Sequence, residues 1–184
     1  DFVHAHYASS FGLLGALTGF HPYVLSVWGS DVYSYPRSGR IYKWLLQYTL
    51  HKSDCLLSTS QCMADENHRY TSKPIMITPF GVDMNRFAPC SSIDKPASFV
   101  VGNVKSLRPV YGIDLLIKAF ARVVERNPQI DAQLLIAGTG PQESELKQLC
   151  HELGVMRQVN FLGYISNQDL PRYYSMFDVS VSLS

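Results

Sequence analysis

The chain of 184 residues lacks any apolar run long enough to cross a bilayer. Its most apolar stretch, 11–20, carries three glycines and falls well short of the ~20 residues a spanning helix needs. Charge is scarce: 17% of residues are charged, against ~25% in ordinary soluble domains. The 16 basic and 15 acidic residues leave a net charge of +1, which argues against a broad polyanion-binding face and against nucleic acid as a partner. Cysteine is sparse and unpatterned. Cys55, Cys62, Cys90 and Cys150 form no CxxC pair, and no histidine stands at zinc-finger spacing from them. They are expected as reduced thiols in a reducing, cytoplasmic compartment. The opening residues, Asp1-Phe2-Val3-His4, have neither the basic nor the apolar region of a secretory leader. No GxxxxGK[ST] occurs, and a GxGxxG reading of Gly138 and Gly140 fails at Glu143. No cluster of histidines or carboxylates has convincing metal-ligand spacing, so neither a metal nor a cofactor is expected.

What is present is a rhythm. At 46% hydrophobic residues the chain can bury a core, and its apolar residues fall into short runs separated by amphipathic segments. Strands are expected at 2–5, 23–27, 55–59, 75–78, 99–104, 133–137, 159–162 and 179–183. Most of these runs are continuous rather than alternating, as in parallel sheets covered on both faces. Helices are expected at 41–50 and 61–70. A third runs through Leu116, Phe120 and Val123 and stops at Asn127-Pro128. A fourth runs through Leu146, Leu149, Cys150 and Leu153 and ends at Gly154, and a fifth covers 169–176. Strand and helix in alternation imply an α/β fold of mostly parallel sheets. Segment 81–98 breaks the rhythm with Pro89, Ser91, Ser92 and Pro96 and no periodic apolar face. It reads as an interdomain connection, with one domain over 1–95 and another over 96–184.

Ligands of open α/β sheets bind beyond the carboxyl ends of strands, so the loops there are the candidate sites. After 99–104 come Lys105 and Arg108, ahead of a helix N-terminus, an arrangement suited to an anion. After 133–137 comes "GTGP", where two glycines permit close backbone approach. After the first strand, His4 and His6 share one face. After the second, Gly29-Ser30-Asp31 can meet a polyol. Trp28 reads equally as a packing residue, and Asp31 equally as a turn or N-cap residue.

These landmarks come in a telling order. "HAHYASSFG", "LSVWGSDVY", "PFGVDMNRFAP", "LLIAGTGP" and "VNFLGYISNQDLPRYYSMFDVSVSLS" resemble the family-4 retaining glycosyltransferases of the two-domain GT-B type, over nearly the whole chain. The resemblance implies two Rossmann-like domains, both incomplete here. It also implies transfer of a hexosyl group from a nucleotide-diphosphate sugar to a saccharide or lipid-linked acceptor, with retention and without a metal. The pathway it implies is surface or capsular polysaccharide synthesis. In these terms His6 and Asp31 are the catalytic candidates, and Lys105 and Arg108 hold the donor diphosphate. Gly102, Gly138, Gly140, Gly163, Tyr164 and Ile165 line the donor pocket. Tyr7, Trp28, Gly29 and Ser30 face the acceptor. Peripheral contact with the inner membrane face is left open.

Three features depart from the family pattern. Ser106 and Tyr111 stand where members carry Arg and Lys, and Val110 takes the lysine place if the loop follows the "KYG" variant. Trp28 stands where many carry His. The opening strand with its Gly-rich loop and the Glu-x7-Glu motif are not in the sequence, so these 184 residues alone are expected to have little or no transferase activity. A non-catalytic nucleotide- or sugar-binding module is the competing reading.

Overall fold

The computed structural model describes residues 1–90, 93 and 95–183. Ser91, Ser92 and Asp94 of the expected connection, and Ser184, lie outside the described residues. The chain forms two compact units, Asp1–Val82 and Asp83–Ser184. Both are α/β, and every strand pairing in them is parallel.

In the first unit the strands β1 (Val3–His6), β2 (Tyr23–Val27), β3 (Cys55–Ser58) and β4 (Ile75–Ile77) lie in the order β1-β2-β3-β4. The helices are α1 (Phe11–Thr18), α2 (Ser30–Tyr33), α3 (Arg40–Lys52) and α4 (Gln61–Asn67). Leu25, Val27, Leu46 and Leu50 are fully buried between sheet and helices. Burial of each such side chain is worth roughly 1.5–3 kcal/mol before chain entropy is counted.

In the second unit the strands are β5 (Phe99–Val104), β6 (Ala132–Ala137), β7 (Val159–Gly163) and β8 (Val179–Ser180), in the order β7-β6-β5-β8. The chain moves outward from β5 to β7 and then returns to the other side of β5, so strand order reverses beside β5. Helices α5 (Ile113–Arg126), α6 (Glu143–Glu152) and α7 (Leu170–Met176) cover the sheet. The core combines Leu134 and Ile136 of β6 with Ile113, Ile117 and Phe120 of α5 and Leu146 and Cys150 of α6. The inward stripe of α5 is thus Ile113, Leu116, Ile117 and Phe120, while Val123, expected in it, is 47% exposed. The helix ends at Arg126, with Asn127 as its C-cap ahead of Pro128.

Short strand β8 is held by side chains as well as by its ladder. Asp178 Oδ2 accepts the Val100 N–H at 2.8 Å and Oδ1 pairs with Lys95 at 2.5 Å. Asn103 Nδ2 donates to the Val181 carbonyl at 2.7 Å. Residues of the expected connection therefore contact this unit: Lys95 through Asp178, and Cys90, whose N–H donates to Ser175 Oγ at 3.1 Å. Among the described residues no helix is long and apolar enough to cross a membrane.

Candidate functional sites at the strand ends

The second unit carries a cleft of about 200 Å³ at the carboxyl ends of β5, β6 and β7. Its lining is Val104, Lys105 and Ser106 after β5, Ala137 and Gly138 after β6, and Tyr164 and Ile165 after β7. Three loops far apart in sequence are drawn together by main-chain bonds. Leu107 N–H donates to Thr139 O at 3.0 Å, Gln142 N–H to Leu107 O at 3.2 Å, and Gly138 N–H to Gly163 O at 2.7 Å. The approach leaves no room for side chains. A Cβ at Gly138 would lie 2.0 Å from the Lys105 carbonyl oxygen, and one at Gly140 would lie 2.3 Å from that of Leu107. Gly138 also has φ +142°, a conformation that glycine adopts freely. The two glycines are thus the reason the β5 and β6 loops can touch. A register shift between Ile136 and Ala137 lets β7 gain a residue at Leu162 and redirects the chain into Tyr164 and Ile165.

Lys105 supplies the cleft's positive charge. Its Nζ lies 5.3 Å from the Tyr111 ring centroid, a cation–π contact that steadies the side chain near the start of α5. The first turn of that helix follows Gly112, whose backbone is left-handed. Its amides are already engaged: the Leu115 and Leu116 N–H groups donate to the Gly112 carbonyl at 3.1 Å each, and the Asp114 carboxylate accepts main-chain N–H groups of Asp114 and Leu115. Not every expected residue is brought to this place. Arg108 is exposed at the start of the 3₁₀ turn Pro109–Tyr111 and is not part of the cleft wall. Gly140 and Gly163 support the loops without lining the cleft. Gly102 has another cause: a Cβ there would fall 2.2 Å from the Phe177 ring, so the glycine makes space for an aromatic packed on β5.

A second cluster lies at the carboxyl ends of β1 and β2 in the first unit. His4 and His6 share a face, with ring centroids 4.2 Å apart. His4 Nε2 is hydrogen-bonded to Ser26 Oγ at 2.8 Å. Burial, and then the neighbouring His6, hold the pKa of His4 below the usual histidine range. Trp28 Nε1–H donates to His6 Nδ1 at 3.2 Å, which puts the proton of a neutral His6 on Nε2. The Trp28 ring also meets Phe80 at 5.1 Å, so Trp28 packs and hydrogen-bonds at once. Tyr7, with φ +80°, makes a hydroxyl–hydroxyl bond to Ser30. The wall is therefore an aromatic surface with a ring N–H and two hydroxyls.

Asp31 has a different place from the one expected of a catalytic group. It is fully buried. Oδ2 accepts the Ala8 N–H at 2.8 Å and Oδ1 that of Gly29 at 2.7 Å, and the Trp28 N–H reaches Oδ1 at 3.1 Å. Its oxygens are committed to the main chain, so Asp31 joins the loop after β1 to the loop after β2.

Two α/β units, each with a four-stranded parallel sheet, have the fold of the two-domain GT-B architecture. The chain belongs to the family described as glycosyl transferases group 1, whose model matches residues 92–184; a second model, glycosyl transferase 4-like, matches residues 1–60. A GDP-mannose-dependent monoacylated alpha-(1-6)-phosphatidylinositol monomannoside mannosyltransferase of Corynebacterium glutamicum is 37% identical over 111 residues, covering 55% of this chain and 28% of that protein. A D-inositol 3-phosphate glycosyltransferase of Corynebacterium jeikeium is 30% identical over 162 residues, covering 78% of this chain and 38% of that protein. The solved pneumococcal O-GlcNAc transferase GtfA, in complex with UDP and GlcNAc, superposes with a TM-score of 0.62 at 16% identity, over 95% of this chain and 40% of that one. The chain thus spans less than two-fifths of the curated relatives it matches.

Proposed function

We propose that the chain supplies the donor cleft and the acceptor wall of a retaining glycosyltransferase that moves a hexosyl group from a nucleotide-diphosphate sugar to a saccharide or lipid-linked acceptor. The observation that carries this reading is the cleft around Lys105, Gly138, Tyr164 and Ile165, in a chain of this family. Main-chain groups from Gly163 to Ile165 border the base, and the diphosphate lies against Lys105. Negative charge grows on the leaving diphosphate as the glycosidic bond breaks. A fixed cation stabilises that charge and takes the role a metal would otherwise have. His6, Tyr7, Trp28, Gly29 and Ser30 receive the acceptor, whose hydroxyls meet the ring N–H and hydroxyls and whose apolar ring face meets Trp28.

The wider setting follows from the same reading. The product is surface or capsular polysaccharide, made in the cytoplasm at the inner membrane face. Phe11, Leu14 and Leu17 of α1 are 62–66% exposed, and 2–30 contains no Asp, Glu, Lys or Arg, a surface suited to peripheral lipid contact. Titration with UDP, GDP and ADP tests the donor half: saturable binding of at least one that Lys105→Ala weakens supports it, and binding of none contradicts it.

A further inference from the structure

A groove of about 410 Å³ lies elsewhere in the first unit, between α3 and the turn that leads into β4. One wall is aromatic. Trp44 and Tyr48, one helical turn apart, stack with centroids 5.7 Å apart and planes 21° from parallel, and Trp44 is 61% exposed. Gln47 and His51 stand beside them on α3, and Thr71 and Ser72 on the facing turn. His51 lies four residues before the first residue of β3, and Ser72 three residues before that of β4. The groove is therefore at the amino ends of the strands, whereas His6 and Trp28 are at the carboxyl ends.

Two cations flank it: Lys43 Nζ is 6.0 Å from the Tyr70 ring centroid and Lys52 Nζ is 5.8 Å from that of Tyr48, and among the described residues no carboxylate lines the groove. Glu66, which accepts the Tyr70 hydroxyl at 3.4 Å, is already paired with Arg37 and Arg69 at 3.3 Å each. Segment 32–53 contains Arg37, Arg40, Lys43 and Lys52 and no Asp or Glu.

We infer that this groove is a second saccharide site, separate from the strand-end clusters, and that it takes an acidic oligosaccharide. A pyranose ring has an apolar face that lies on an indole plane, and its hydroxyls bond to amide, imidazole and hydroxyl groups at the edge of that plane. Lys43 and Lys52 supply the counter-charge for uronate carboxylates. These two flanking cations, with no carboxylate in the lining among the described residues, favour an anionic chain over a neutral one. The site would hold a growing acidic polymer while its end is processed elsewhere.

The test is calorimetric titration of the 184-residue chain with hexagalacturonate, maltohexaose and vesicles of phosphatidylglycerol and phosphatidylcholine. Hexagalacturonate should bind with an affinity that falls as salt rises, and maltohexaose at least tenfold more weakly. Trp44→Ala should cost tenfold or more, Trp44→Phe much less, and Lys43→Gln with Lys52→Gln should flatten the salt dependence. Nucleotide affinity, measured on the same samples, should not change, so failure here is separable from failure of the donor-cleft reading. Equal affinity of Trp44→Ala and the unsubstituted chain for hexagalacturonate would overturn the inference. So would equal affinity for the two hexasaccharides, or vesicle binding through Trp44 without saccharide binding.

Discussion

Asp31 Oδ2 accepts the main-chain N–H of Ala8 at 2.8 Å, across 23 residues of sequence. With Trp28 and Gly29 on the same carboxylate, this one side chain sets the spacing between the loops that present Tyr7 and Ser30. Asp31→Ala would leave three amides without their acceptor in a buried place. A loss of about 3 kcal/mol or more is expected, since hydrogen bonds to a charged group are worth roughly 1.5–3 kcal/mol each. Asp31→Asn, which keeps one acceptor oxygen, should lose less. Urea midpoints of the two variants check the ranking, and an Asp31→Ala chain as stable as the original would rule out the clamp.

The glycines of the second unit separate into two kinds. Gly138→Ala and Gly140→Ala drive a Cβ into backbone carbonyls that cannot rotate away. Each should cost about 1–3 kcal/mol of stability and weaken nucleotide binding, because the loops carrying Lys105 and Gly138 must part. Gly163 has φ +68°, and a Cβ there would meet no atom of the described residues within 4 Å. Gly163→Ala should cost only about 1 kcal/mol, from backbone conformation alone. Thermal melts with and without UDP or GDP distinguish the two kinds, and equal effects at Gly138 and Gly163 would contradict the packing argument.

Thiol reactivity follows burial. Cys150 is fully buried in the α5–α6 core, and burial pushes its pKa up to about 11. Cys62 and Cys90 are exposed. With Ellman's reagent at pH 8, Cys62 and Cys90 should react first and Cys150 only on unfolding. Peptide mapping identifies the labelled thiols, and fast labelling of Cys150 in the folded chain would count against the core described above.

Acid should loosen both units. The bond from Lys95, and then the Val100 N–H, hold the pKa of Asp178 below the usual carboxylate range. The Tyr23 N–H and His21 do the same for Asp54. A carboxylate depressed in the folded state gives stability that is complete above the ordinary carboxylate pKa of about 4 and is lost as pH falls through the lower folded value. Melting temperature should therefore drop from about pH 5 toward pH 2, and Asp178→Asn should reduce the slope. An unchanged slope in that variant would show that Asp178 has the same pKa folded and unfolded.

Much of the fold was legible because parallel strands declare themselves. Segments 23–27 and 99–104 are mostly apolar runs without strict alternation and form β2 and β5 with those bounds, since most of each is covered on both faces. Helix α1 was not legible. No helix was expected over 11–18, yet Gly12 and Gly15 let one sit on Leu25 and Tyr23, which a Cβ at either would meet at 2.8 Å. Segment 61–70 yields a helix only to Asn67, where a turn through His68 replaces it. Strand β8 stops at Ser180 rather than 183, because its ladder with β5 covers only Val101 and Gly102.

The candidate sites were legible where a residue simply follows a strand, as Lys105, Gly138, Tyr164 and Ile165 do. They were not legible where packing between distant segments decides. Gly102 answers to Phe177, Asp31 to Ala8, and Arg108 turns away at a 3₁₀ start, none of which the local sequence records.

The most direct measurement is calorimetric titration of UDP and GDP into Lys105→Ala and Arg108→Ala. The cleft predicts that Lys105→Ala weakens the better-bound nucleotide by about tenfold or more, as expected for one charge-assisted phosphate contact, while Arg108→Ala changes it little. Unchanged affinity in Lys105→Ala, or a larger loss in Arg108→Ala, would contradict a diphosphate seated against residues 104–106, 137–138 and 164–165.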